Sequence, residues 1–287
     1  MPNRGILFFS DWTAPVPLFV VALHSLRKYY SGKVHVMYGS STPEFFIQEL
    51  KKKSDITIQS YTPEYAKSYW TRLGSHRCWN MKPVIHQQSP FDTTWIYDCD
   101  HVFIDSFDLS GFDYIEKYGL ASFHHPVTHY GSKAIGRMNG RAKVIRERLK
   151  MPCEDNSLLP ANGGCVGSVK GTLLLNEWIV NLEKFGTCGD WALERLPDEF
   201  SLSYTLSRNN SPIGDHKWSY SPYPDLSDLK TITNISAIHF CNSSYKLGSY
   251  YKIEQNECLD EDYMGIRTHW NEYVKCNPLI QIFKDSV

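Results

Sequence analysis

Nothing in these 287 residues approaches the roughly 18 consecutive apolar positions that a membrane span requires, so no span is expected. Charge of one sign is lacking too. Lys and Arg number 30 against 31 Asp and Glu, a net charge of −1, and no global positive field exists to draw in a phosphate backbone. A nucleic-acid partner is therefore not expected. The eight cysteines never stand closer than twelve positions apart, so the chain has no CxxC motif, which argues against a zinc ribbon or a redox pair. Their density is also far below that of a disulfide scaffold, and reduced, mostly buried thiols follow. No strand-like run leads into GxGxxG or GxxxxGK[ST], which disfavours a dinucleotide site and a Walker phosphate loop. The apolar run from Gly5 to Phe9 is too short for the core of a secretory leader, and the expectation is a cytoplasmic protein. On that reading the sequons at Asn209, Asn234 and Asn242 are chance matches.

What is present is a globular composition, 42% hydrophobic and 21% charged, with 8 Trp, 18 Tyr and 14 Phe. A chain of this length hides about 75% of its unfolded surface, enough to fold without a staple. Most of the aromatic rings belong in that core. Strand-like and helix-like segments alternate through the first hundred residues. Gly5 to Ser10 reads as a buried strand, Val16 to Tyr30 as a helix, and Lys33 to Tyr38 as a second strand. Thr42 and Pro43 look like the N-cap and first position of a helix that ends near Lys53. Ile56 and Ile58 mark a third strand, 78–88 a helix, and Thr93 to Tyr97 a fourth strand. Strands separated by such helices imply a mostly parallel α/β sheet. Further on, 120–123 and 162–169 read as strands, and 133–150, 172–185 and 198–207 as helices. The stretch from Lys133 to Lys150 holds seven basic residues against Glu147 alone, a solvated face or a surface for an anionic acceptor.

Ligands of open parallel sheets bind beyond the carboxyl ends of the strands. That rule selects Ser10, Asp11 and Thr13 after the first strand, and Asp98-Cys99-Asp100 after the fourth. Residues i and i+2 of an extended chain point the same way, so both carboxylates can face one divalent cation or one ribose. Carboxylate oxygens suit Mg²⁺ or Mn²⁺, ions that bridge a protein to a diphosphate.

Three further segments follow in order: Asn162-Gly163-Gly164 leading a strand, Asp198-Glu199 opening a helix, and Ile238-His239-Phe240 followed by Lys246. Together with Asp98-Cys99-Asp100 and the upstream Trp79-Asn80-Met81-Lys82, this order resembles the metal-dependent nucleotide-sugar glycosyltransferases of the GT-A fold, and among them the glycogenin-like pattern. The resemblance implies a Rossmann-like, mostly parallel sheet flanked by helices, within one catalytic domain over 1–287. In that domain 1–105 would form the nucleotide-binding half and 106–287 a mixed acceptor-binding half. It also implies a nucleotide diphosphate sugar, with UDP as the carrier, and a glycan or glycoconjugate acceptor.

Residue by residue, the resemblance makes Asp98, Asp100 and His239 the ligands of Mn²⁺ or Mg²⁺, with Asp98 alternatively on the ribose. Lys246 would hold the diphosphate. By position alone, Arg77 and Lys82 flank the helix before the fourth strand and either neutralise the nucleotide phosphates or are ordinary surface charge. Asn162, Gly163 and Gly164 would lie against the donor sugar, while Asp198 or Glu199 would act as base or steer the sugar. Trp12, Tyr69, Trp70 and Trp218 are candidates for stacking on uracil or sugar. The region around Lys246 lacks the glycine and the proline-tryptophan ending of glycogenin-like enzymes, and the acidic pair is Asp-Glu where Asp-Gln is common. Retention of stereochemistry is accordingly not implied. Two rival readings stand beside this one. A strand followed by DxD also describes haloacid-dehalogenase-like phosphatases, with Asp98 as nucleophile, and a non-catalytic nucleotide-sugar-binding module would need the pocket without the chemistry.

Overall fold

Alternate residues of the apolar runs face opposite ways, and both faces of the sheet they build are covered. The computed structural model describes residues 2–10, 16–40, 42–61, 79–123, 139–154, 157–188, 197–219 and 235–239. In chain order these form β1 (Arg4–Ser10), α1 (Val16–Tyr29), β2 (Val34–Tyr38), α2 (Glu44–Lys51), β3 (Ile56–Ser60), a 3₁₀ turn (Trp79–Met81) running into α3 (Lys82–Gln88), and β4 (Thr93–Tyr97). There follow β5 (His101–Phe103), α4 (Ser110–Tyr118), β6 (Leu120–Ser122), α5 (139–147), β7 (Cys165–Val169), α6 (Leu173–Phe185), α7 (Pro197–Arg208), a 3₁₀ turn (His216–Trp218) and β8 (Ala237–His239).

Six strands form one sheet in the order β3-β2-β1-β4-β7-β6. The first four are parallel, and β7 runs antiparallel between β4 and β6. The expected mostly parallel sheet is thus present, and strands from beyond residue 106 complete what the first half begins. Ile6, Phe8, Trp95 and Tyr97 share one packed cluster with residues of α1 and α4, whereas Leu7 and Ile96 pack with Met81, Val84, Ile85 and Leu182 on the other side. Trp95 is fully buried, stacks on Tyr97 at 5.4 Å, and donates its indole N–H to Cys165 Sγ at 3.1 Å, pinning β4 to β7. Helix α4 stops where Gly119 takes φ +76°, a left-handed conformation suited to glycine, and its N–H reaches the Ile115 carbonyl at 2.7 Å.

Four local expectations are corrected. Helix α2 ends at Lys51 rather than Lys53, and Thr42 does not cap it, because the Thr42 hydroxyl donates to the Ser10 carbonyl at 2.7 Å. Within 78–88 only Lys82–Gln88 is α-helical, with the 3₁₀ turn before it. The strand expected from 162 starts at Cys165, after a turn. The Asp98–Asp100 segment is a turn, not an extended continuation of β4. Strand order reverses between β1 and β4, so the crevice of this fold opens at their carboxyl ends. Among the described residues no helix is long and apolar enough to cross a membrane.

Candidate active site

Past its last residue, Tyr97, strand β4 keeps one more ladder bond, from the Asp98 N–H to the Gly164 carbonyl at 2.8 Å. The chain then turns sharply, and the Asp98 carbonyl accepts from the His101 backbone N–H at 3.3 Å while His101 Nδ1 lies 2.9 Å away. This turn, rather than the i, i+2 geometry of a strand, brings the two carboxylates together. The short ribbon of β5 and β8 places His239 directly opposite His101, and His239 Nε2 stands 3.1 Å from Asp100 Oδ1 and 3.9 Å from Asp98 Oδ2.

The Gly-Gly turn makes room for this meeting. A Cβ on Gly164 would lie 2.0 Å from His239 Cε1, and one on Gly163 would lie 3.1 Å from Asp198 Oδ2. Side chains of this chain therefore fill the space that glycine leaves open. Asn162 holds the turn in shape, since its Oδ1 accepts from the Gly164 N–H at 2.6 Å.

Lys82, at the start of α3, is 4% exposed. Its ammonium sits 2.9 and 3.0 Å from the two oxygens of Asp98, 2.8 Å from the Gly163 carbonyl and 3.8 Å from Asp198 Oδ2. Burial alone would lower the lysine pKa, but the charges of Asp98 and then Asp198 outweigh it, and the net direction is upward. Asp198, in the first turn of α7, is also buried, and burial pushes its carboxyl pKa up against the opposing pull of Lys82. The two shifts agree with the distances. Lys82 shares its charge chiefly with Asp98, leaving Asp198 less compensated and its Oδ1 without a hydrogen bond among the described residues. Trp178 on α6 donates its indole N–H to the Asp198 carbonyl and to Ser201 Oγ, both at 3.1 Å, and so fixes the start of α7.

Asp98, Asp100, Asp198, Lys82, Gly163, Gly164 and His239 are thus brought to one place. Glu199 follows Asp198, half-buried. Ser10 ends β1 beside this crevice, buried, with a hydroxyl that makes no hydrogen bond among the described residues. Asp11, Thr13, Arg77 and Lys246 lie outside the described residues, as do Trp12, Tyr69 and Trp70. Trp218 is not available for ligand stacking: it is 5% exposed, packs on Trp95 and Phe123, and donates to the Asp108 carbonyl.

Two carboxylates and an imidazole, donor types that suit Mn²⁺, stand near one another here, Asp100 and His239 buried and Asp98 half-buried. Asp100, His101 and His239 each offer a donor atom within 4.8 Å of the others. His101, however, has both ring nitrogens engaged, Nδ1 by the Asp98 carbonyl and Nε2 by Ser219 Oγ at 2.9 Å. Burial holds its pKa well below the ordinary value, with His239 adding to the effect. Asp98 stands outside that group of three, with both of its oxygens against Lys82. His101 and Ser219 are contributors that motif reading missed; the only available signal was a histidine directly after the second aspartate.

No protein-family model and no curated protein sequence matches the chain. A solved structure of the bifunctional glycosyltransferase WbbM in its apo form is similar in fold, with a TM-score of 0.61 at 9% sequence identity. The similarity covers 99% of this chain and 51% of that one, so this chain spans about half the length of the protein it resembles, and what the two share is a fold.

Proposed function

We propose that this protein is a metal-dependent glycosyltransferase of the GT-A type. It would transfer a sugar from a nucleotide diphosphate sugar, with UDP as carrier, to a hydroxyl of a glycan or glycoconjugate. The observation that carries the reading is the meeting of Lys82, Asp98, Asp100, Asp198 and His239 at the carboxyl ends of β1 and β4, although Lys82 and His239 are 157 positions apart in sequence. The likeness in fold to a protein described as a glycosyltransferase supports it.

Asp98, Asp100 and His239 would hold Mn²⁺ or Mg²⁺. Such an ion, when bound, neutralises charge that develops on a departing diphosphate. Lys82 fixes the orientation of Asp98 through both carboxylate oxygens, a different task from the phosphate contact expected from the sequence. Asp198 has the raised pKa of a group suited to accept a proton from an acceptor hydroxyl, and its unbonded Oδ1 is the atom that would take it. Glu199 stays the neighbouring candidate for that role. Asn162 shapes the turn that would lie against the donor sugar, and Ser10, Asp11, Thr13, Arg77 and Lys246 would complete the nucleotide and phosphate contacts.

The test is UDP release from a panel of UDP-sugars with Mn²⁺, comparing the natural protein with Asp100→Ala. Turnover should fall by at least about 10²-fold, the scale for loss of one electrostatic element, while far-UV circular dichroism is unchanged. Undiminished release by Asp100→Ala rejects the metal role. Hydrolysis of simple phosphate esters with a phosphoaspartate trapped at Asp98 would favour the phosphatase reading, and nucleotide-sugar binding without UDP release the binding module.

A further inference from the structure

We infer that His101 is a positioning residue for His239, a ring held rigid at both nitrogens whose face sets the plane of the neighbouring imidazole and thereby aims His239 Nε2 at Asp100. The inference rests on the metal site proposed above and adds a residue that the site's motif does not contain.

The two rings are stacked with centroids 4.2 Å apart and planes 8° from parallel. They face each other because β5 and β8 pair antiparallel, with only Val102–Ile238 and Phe103–Ala237 beyond the histidine pair. A ribbon so short supplies little stability of its own, and the fixed face of His101 adds a plane against which the His239 ring lies. A carbonyl can only accept, so the proton on the neutral ring sits on Nδ1, facing Asp98, and Nε2 is left to accept from the Ser219 hydroxyl. On its other side Tyr97 meets the ring edge-on at 5.0 Å, and the Tyr97 hydroxyl donates to the Trp218 carbonyl, next to Ser219. His101 therefore ties the acidic turn, the end of the 3₁₀ turn and the incoming strand into one unit, with Gly164 closing the space on the far side of His239. Loss of an outer partner that orients a ligating imidazole by a hydrogen bond costs about 10- to 100-fold in metal affinity, and a rigid stacked ring constrains the same orientation.

Mn²⁺ binding to the donor-free protein, followed by electron paramagnetic resonance of the free ion, tests this without turnover, alongside the visible spectrum of the Co²⁺ form. His101→Ala should weaken Mn²⁺ by about 10- to 100-fold and alter the Co²⁺ bands. His101→Phe, which restores a flat face, should recover part of the loss. Wild-type affinity and an unaltered Co²⁺ spectrum in His101→Ala would overturn the inference while leaving the metal site intact. If His101→Ala does not fold, Ser219→Ala decides in the same way, since it removes only the hydroxyl at Nε2. Failure of the underlying reading has a separate signature: no Mn²⁺ bound by the natural protein, or equal binding by Asp100→Ala, which removes both proposals together.

Discussion

Asp198 is held where its charge is least welcome. Burial raises its carboxyl pKa above the ordinary 3.8, so the folded state binds the proton more tightly than the unfolded chain does. The sign follows: folding is disfavoured by this group at neutral pH, and the penalty fades as pH falls through the raised value towards 3.8. Asp198→Asn should therefore be more stable than the natural protein at pH 7, by about 0.5–2 kcal/mol, with the advantage shrinking near pH 4, while UDP release is lost. Urea melts at the two pH values check it, and a variant less stable at pH 7 would contradict the account. Motif order pointed to this carboxylate, but only the 3.8 Å gap to Lys82, against 2.9 Å for Asp98, separates their roles. Spacing in sequence carries no information on which of two acids a buried amine prefers.

Helices α6 and α7 form the support for that carboxylate, and Trp178 is their joint. Its indole N–H is shared between the Asp198 carbonyl and Ser201 Oγ, and its ring is fully buried. Trp178→Phe should cost about 2–4 kcal/mol, combining a lost buried hydrogen bond with a cavity, and should lower turnover because the first turn of α7 loses its fixed point. A denaturant titration with parallel activity assays measures both, and unchanged stability would reject the joint. Elements of this kind differed in how readily the sequence disclosed them. Strands β1, β2 and β4 carry unbroken apolar stretches at Ile6–Phe9, Val36–Tyr38 and Trp95–Tyr97, so burial on two faces was legible, and Thr93–Tyr97 was located to the residue. Helix α4 buries only Gly111, Phe112 and Ile115, too few to make a period visible. The ribbon of β5 and β8 was hidden because three-residue strands have no alternation to detect, and the direction of β7 is a property of the sheet, not of its own five residues.

At the scale of the whole molecule the buried histidines set the response to acid. Burial lowers His35 to about 4 and, with Lys82 adding to it, His86 to about 3, against an ordinary 6.5. The unfolded chain then takes up protons that the folded one refuses, and stability declines as pH drops below 6.5. At about 1.4 kcal/mol per group per pH unit, these two cost together about 4 kcal/mol by pH 5. Melting temperature should fall steadily between pH 7 and pH 5, and a flat profile would show that the two rings charge freely. The antiparallel course of β7 has a different outcome. Strand β6 ends where β7 begins, and Ser122 Oγ is bonded to both the Asn162 N–H and the Asn162 carbonyl, at 3.3 and 3.1 Å. Of the excursion between them, the described residues Ala142, Ile145, Cys153 and Leu158 pack against Phe185, Phe200 and Tyr204 of α6 and α7. That excursion is therefore part of the layer under α6 and α7, and removing its apolar side chains would open a cavity beneath the helix that carries Asp198.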